Sequence, residues 1–177
     1  MRRILFESLL RRPLTEPAPA LDDPELRALA SEMKTRIDAF FGGSLSIRMV
    51  DAGSCNGCEL EIHALNNPYY DLERFGLKFV ASPRHADVLL VTGPVTCNMR
   101  EALRRTFDAT PSPKWVVTAG DCALKGGVFA GSPAIVGGVN EVVPVDLHIP
   151  GCPPTPTQLL KGLLALTRGP RGSSPSG

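Results

Sequence analysis

The sequence predicts an α/β fold built on a doubly wound, mainly parallel sheet, and three observations carry that prediction. Leu45, Ile47 and Met49 alternate as in a strand, with a helix pattern after them. Residues 88–91 and 115–118 are continuous apolar runs, the mark of strands buried on both faces. Helical stretches near 98–107 and 155–166 alternate with the strands, the order that a right-handed parallel sheet requires. In such a sheet, sites form beyond the carboxyl ends of the strands.

The chain divides into three parts. Residues 1–22 read as an N-terminal amphipathic segment and linker. Ile4, Leu5, Phe6 and Leu9 are apolar there, Arg2, Arg3, Arg11 and Arg12 flank them, and a Pro- and Ala-rich stretch follows. Such a segment suits an acidic membrane surface or a partner, and equally a terminus packed on its own domain. Residues 23–168 are expected to form the α/β domain. Its first helix has Asp23 as cap, Pro24 at the first helical position and Glu25 at the positive end of the dipole. Leu26, Leu29, Ala30, Met33, Ile37, Phe40 and Phe41 recur at helical spacing, and Gly42-Gly43 ends the run. Strands are expected at 45–50, 78–81, 88–91 and 115–118, with the last inside 142–149. A loop is expected at 92–97. The final helix should bury Leu159, Leu160, Leu163, Leu164 and Leu166. Residues 169–177 are rich in Gly, Ser and Pro and read as a disordered tail.

The totals narrow the function classes. A length of 177 residues suits one domain with its own core. A net charge of +1 gives no whole-chain reason to expect a nucleic acid partner. No apolar run approaches the ~20 residues that cross a bilayer. Glu7 interrupts the apolar run after Arg2-Arg3, so the start is a poor secretory signal. An intracellular chain is expected. In a reducing cytosol, five cysteines argue for metal or redox chemistry over a disulfide framework.

Four of those cysteines share a setting. Cys55 and Cys58 follow the first strand in Asp51-Ala52-Gly53-Ser54-Cys55-Asn56-Gly57-Cys58-Glu59. Cys122 follows a strand in Ala119-Gly120-Asp121-Cys122, and Cys152 follows one in Pro150-Gly151-Cys152-Pro153-Pro154. Each comes after a predicted strand and a glycine-containing loop, so residues distant in sequence can meet at one sheet edge. An iron–sulfur cluster needs four soft thiolate donors. Asn56-Gly57 supplies the turn that directs two sulfurs the same way, with Gly57 expected at positive φ. Gly53, Gly120 and Gly151 are expected to leave N–H groups free for the sulfurs. On the pattern alone, structural zinc, a thioredoxin-type dithiol and inert buried cysteines stay open. Zinc sites in small modules usually pair two close-spaced knuckles, which Cys122 and Cys152 do not form. A dithiol leaves those two without a role. Cys97 also follows a strand, but no glycine immediately precedes it, and it ranks fifth as a ligand.

Several motifs resemble a known family. They are Ser54-Cys55-Asn56-Gly57-Cys58-Glu59, Ser82-Pro83-Arg84-His85-Ala86-Asp87, Thr92-Gly93-Pro94-Val95-Thr96, Val143-Pro144-Val145-Asp146 and, strongest, Ile149-Pro150-Gly151-Cys152-Pro153-Pro154-Thr155. Together they resemble the small iron–sulfur subunit, of the 20 kDa type, shared by respiratory complex I and group 4 energy-converting nickel–iron hydrogenases. The likeness spans residues 46–166. The C-x-x-C form is similar to the hydrogenase branch, closest to formate hydrogenlyase and hydrogenase-4, whereas the complex I subunit usually has adjacent cysteines. Two positions depart from the branch. A basic residue is common where Cys97 stands, and Asp121 puts a carboxylate beside the third ligand.

The resemblance implies a flavodoxin-like sheet with one 4Fe–4S cluster at the carboxyl ends, held by Cys55, Cys58, Cys122 and Cys152. It implies an electron-transfer subunit of a membrane-associated hydrogenase complex, peripheral on the cytoplasmic face. The nickel–iron (or complex I 49 kDa-like) large subunit would hold the catalytic centre. Other iron–sulfur and membrane subunits would complete the assembly. The alternatives are a complex I-type quinone oxidoreductase subunit and, from another class, a zinc-stabilised binding module. Glu59 and Glu61 suit either a proton-relay or interface role or a solvated helix face. His63, His85 and His148 read as ordinary surface or loop residues. Arg84 suits contact with a partner or a phosphate-like group, or, more simply, an ion pair with Asp87.

Overall fold

The computed structural model of the chain describes residues 24–167. The expected segment at 1–22, the cap at Asp23 and the expected tail at 169–177 lie outside them. Helix α1 (Pro24–Phe41) buries Met33 and Ile37 completely, with Leu29 and Phe41 packed beside them. The Phe41 ring meets Trp115 edge-on at 5.4 Å, a geometry that the ring quadrupoles favour.

Five parallel strands make the main sheet: β1 (Leu45–Asp51), β2 (Leu77–Phe79), β3 (Val88–Thr92), β5 (Trp115–Ala119) and β7 (Leu147–Ile149). Their order in space is β2-β1-β3-β5-β7. The chain runs outward from β1 to β2 and returns to the other side of β1 for β3. The switch point therefore lies between β1 and β3, where an open α/β sheet leaves a crevice. The fold is the flavodoxin-like α/β type expected from the sequence.

Period-two alternation explains the two cores. Val88, Leu90, Trp115, Val117 and Ile149 face one layer with α1, α2 (Gly57–Ala64) and α5 (Pro156–Leu166). Leu89, Val91 and Val116 face the other, with α3 (Arg100–Ala109) and α4 (Asp121–Lys125). Because both faces are covered, β3 and β5 are buried throughout, which is why they read as unbroken apolar runs.

Two aspartates explain motifs that the sequence only matched. The Ser46 amide donates to Asp87 Oδ2 at 2.8 Å, and the Asp87 amide donates back to the Ser46 carbonyl at 2.8 Å. The Val116 amide donates to Asp146 Oδ2 at 2.7 Å, and the Asp146 amide to the Val116 carbonyl at 2.9 Å. Each aspartate brackets both backbone groups of one residue on the neighbouring strand. Asp87 is thus engaged by Ser46, and the expected pairing with Arg84 does not form among the described residues; Arg84 is exposed.

The structure differs from the sequence reading at three short elements. Strand β4 (Val95–Thr96), where a loop was expected, forms a separate antiparallel pair with β6 (Ile135–Gly137), for which no element was expected. Two and three residues are too few to show a period. Helix α4 has five residues and was invisible for the same reason. The last strand falls inside 142–149 as expected, at its end, and Val143 before it is buried in the second core.

Helix α5 has a capping box: the Gln158 amide donates to Thr155 Oγ1 at 3.3 Å, and the Thr155 amide to Gln158 Oε1 at 2.8 Å. Its Gly162 contradicts helix propensity, and packing supplies the reason. A Cβ there would lie 2.5 Å from both Cδ1 and Cγ1 of Ile149 on β7. Gly162→Ala is expected to destabilise the chain by about 1–3 kcal/mol, although alanine is the better helix former. Urea unfolding checks this; a stabilised variant would show that Ile149 yields easily. No helix among the described residues is long and apolar enough to cross a membrane.

Candidate metal centre

The loop after β1 turns tightly. Asp51 Oδ1 accepts the Gly53 and Ser54 amides, each at 2.8 Å, and Ser54 Oγ accepts the Asn56 amide at 3.0 Å. Asn56, not Gly57, takes the left-handed conformation, with φ 70°. Asparagine tolerates that region better than other side chains, so Gly57 is released to start α2. The turn sets Cys55 outside the helix and Cys58 inside its first turn.

The loops after β5 and β7 lie against this one. The Gly120 amide donates to the Ile149 carbonyl at 2.9 Å, and the Asp121 amide to the Gly151 carbonyl at 2.9 Å. Cys122 sits in the first turn of α4, and Cys152 follows Gly151. Ser54, Cys55, Cys58, Cys122, Cys152 and Pro153 line one small cavity of about 70 Å³ over the strand ends. Ligand pockets for organic molecules run to roughly 300–1,000 Å³, so this one suits a compact inorganic group. All five cysteines are free thiols.

Backbone approach around the sulfurs is close. A Cβ at Gly120 would lie 2.6 Å from Cys58 Sγ, and one at Gly127 would lie 2.5 Å from Cys122 Sγ. Both distances are below contact, so side chains at either position would displace a sulfur. Among the described residues, no three Cys, His, Asp or Glu side chains are gathered closely enough to hold a single metal ion.

Crowding of thiols shows in their acidity. Burial pushes the Cys58 thiol up to about 12, and Glu59, Cys122, Cys55 and Cys152 add to the shift in that order. Burial also raises Cys122, while a hydrogen bond from the Val128 amide favours its thiolate; Cys152, Cys55 and Asp121 act with burial. A bound cation reverses this logic by holding each sulfur as the thiolate.

The amides differ from expectation. Those of Gly53, Gly120 and Gly151 are not free: Asp51, Ile149 and Asp121 take them, at 2.8, 2.9 and 3.0 Å respectively. The backbone at Val128 favours the Cys122 thiolate instead, and sequence spacing could not find it, because it belongs to a 3₁₀ turn (Gly127–Phe129) after α4.

The remaining candidates are sorted by place. Cys97 is exposed, its amide bonds the Ala134 carbonyl at 2.9 Å in the small sheet, and it does not line the cavity. Glu59 is 4% exposed, so a solvated role is overturned. Its Oε2 accepts Ser54 Oγ–H at 2.5 Å, and its Oε1 has no partner among the described residues. Glu61 is half-buried. His63 and His85 are exposed, but His148 is half-buried on β7, with Nδ1 2.9 Å from Thr118 Oγ1. Burial lowers its pKa, against the opposing charge of Asp121.

Residues 55–166 match the model of the family described as NADH ubiquinone oxidoreductase, 20 Kd subunit. The chain belongs to that family. Three relatives extend the comparison. It is 43% identical over 146 residues to formate hydrogenlyase subunit 7 of Escherichia coli (strain K12), covering 82% of this chain and 56% of that protein. It thus spans little more than half the length of that relative. It is 48% identical to the probable membrane-bound hydrogenase subunit mbhJ of Pyrococcus furiosus, over 71% of this chain and 75% of that one. Among solved structures, a chain of the membrane-bound sulfane sulfur reductase, an archaeal respiratory membrane complex, superposes with a TM-score of 0.61. The identity there is 33%, with 71% of each chain covered. Family and relatives alike are parts of oxidoreductase complexes.

Proposed function

We propose that the chain is an electron-transfer subunit carrying one 4Fe–4S cluster on Cys55, Cys58, Cys122 and Cys152, within a membrane-associated hydrogenase-type complex. The observation that carries this reading is the single cavity that four thiols from three separate strand ends line together. Four soft thiol donors match the donor set of such a cluster, and the one carboxylate on the cavity wall, that of Asp121, is engaged by the Gly151 amide. Among the described residues no three such donors are gathered around a point where a single zinc would sit. A multi-atom core, which places each thiolate on a different metal atom, suits four thiols that line one cavity without converging on a single point.

The cluster supplies one-electron chemistry when bound. The chain's residues do the rest. Gly120 and Gly127 keep the space beside Cys58 and Cys122 clear for sulfur. The Val128 amide favours the Cys122 thiolate. Cys55 and Cys152 are exposed, so the cavity opens to the surface. Leu60 at 61% and Val128 at 83% exposure follow closely on Cys58 and Cys122 in the chain. Apolar side chains left open near such a site suit burial under a partner, and a nickel–iron large subunit is the partner proposed. The C-x-x-C spacing and the hydrogenase relatives favour this over a complex I-type quinone oxidoreductase.

Anaerobic reconstitution of the full chain tests the reading. About four irons and four sulfides per chain, with a reducible paramagnetic signal, are expected. One zinc per chain, with no iron uptake and no colour, rejects it.

A further inference from the structure

We infer that Asp121 is a positioning residue, a latch that joins the Cys122 loop to the Cys152 loop and biases the electron affinity of whatever the four thiols hold. The inference rests on the cluster reading for its second half only.

The geometry repeats a device used elsewhere in the fold. Asp87 brackets both backbone groups of Ser46, and Asp146 brackets both of Val116. Both brackets tie a strand to its neighbour near the amino ends, away from the thiols. Asp121 makes a third. Its amide donates to the Gly151 carbonyl at 2.9 Å, and its Oδ1 accepts the Gly151 amide at 3.0 Å. This bracket lies at the carboxyl ends and lines the thiol cavity. It joins the residue before Cys122 to the residue before Cys152. No other described hydrogen bond holds a polar group of Gly151. The loop that presents Cys152 is therefore fastened at Gly151 through Asp121 alone.

Two consequences follow from the chemistry of a carboxylate. A hydrogen bond to a charged acceptor is stronger than a neutral one, so the latch holds two loops that share no covalent link. Its negative charge also disfavours adding an electron nearby. In addition, it occupies the Gly151 N–H, which would otherwise be free to donate to sulfur and raise the potential. Both effects lower the reduction potential of the site. Asp121 is exposed, so solvent screens the charge and the shift is modest.

The test uses the full chain with Asp121→Asn and Asp121→Ala. Asparagine keeps an Oδ1 acceptor without the charge, and alanine removes both. In the metal-free chain, exchange of the Gly151 amide reads the latch without any cluster. It is expected to quicken roughly tenfold in the alanine variant and several-fold less in the asparagine variant, whose acceptor is neutral. In reconstituted protein, iron loss to a chelator is expected to follow the same order, about tenfold faster with alanine. The midpoint potential of the asparagine variant, read by the paramagnetic signal, is expected to rise with iron content unchanged. Wild-type exchange and chelator resistance in the alanine variant overturn the latch. An unmoved potential in an iron-loaded asparagine variant overturns the electrostatic bias. If wild type takes up no iron while Gly151 exchange still responds to alanine, the cluster reading fails and the latch stands.

Discussion

Cys152→Ser is expected to strip most of the iron from reconstituted protein, whereas Cys97→Ser keeps the full complement of about four per chain. Both residues are exposed free thiols, so that class does not separate them. Position does. Cys152 lines the cavity with Cys55, Cys58 and Cys122, while Cys97 belongs to the edge of the small antiparallel sheet, its Sγ 3.7 Å from the Pro133 carbonyl. Serine removes the soft donor and leaves the shape, so the pair isolates ligand chemistry from packing. Iron and sulfide analysis, with the paramagnetic spectrum, reads the result. The opposite pattern, iron lost with Cys97→Ser and kept with Cys152→Ser, removes Cys152 from the ligand set. Full iron in both variants likewise removes Cys152 from the ligand set.

The long elements were legible because their physics is periodic. Strands β3 and β5 show themselves as apolar runs, and α1 and α5 show a helical period. The convergence of the strand ends was legible too, since a parallel sheet places the loops after β1, β5 and β7 on one side. What escaped is the chemistry of single atoms. Gly57 was expected to carry the left-handed turn, but Asn56 carries it. The sequence offers both residues, and only the path into α2 decides between them. The three glycine amides were expected to face sulfur, but each has a closer oxygen. For Glu59 the sequence left a solvated helix face open beside a proton-relay or interface role. Glu59 is buried because Ser54, five residues back across the turn, reaches its Oε2. Such contacts depend on side-chain directions that no spacing rule encodes.

The sharpest packing test of the site lies outside the cavity, at Gly138. Gly138→Ala is expected to destabilise the chain by on the order of 3 kcal/mol and to lower iron content with it. The φ of Gly138 is −76°, which any residue adopts, so conformational strain is not the cause. Space is. A Cβ would lie 2.1 Å from the Leu124 carbonyl oxygen and 2.7 Å from its carbon. These are backbone atoms of α4, the helix that carries Cys122, and backbone cannot rotate away as a side-chain tip can. Either α4 moves and takes Cys122 with it, or the 138–141 turn moves and opens the core at Val139. Gly131 makes the control. It has φ 82° and nothing within 4 Å of an added Cβ, so Gly131→Ala costs only the left-handed penalty, about 1–2 kcal/mol, and leaves the iron in place. Urea unfolding of the metal-free chain, beside iron analysis of the reconstituted one, separates the two. If Gly138→Ala matches Gly131→Ala in both measurements, the contact with α4 is slack and Cys122 is held by other means.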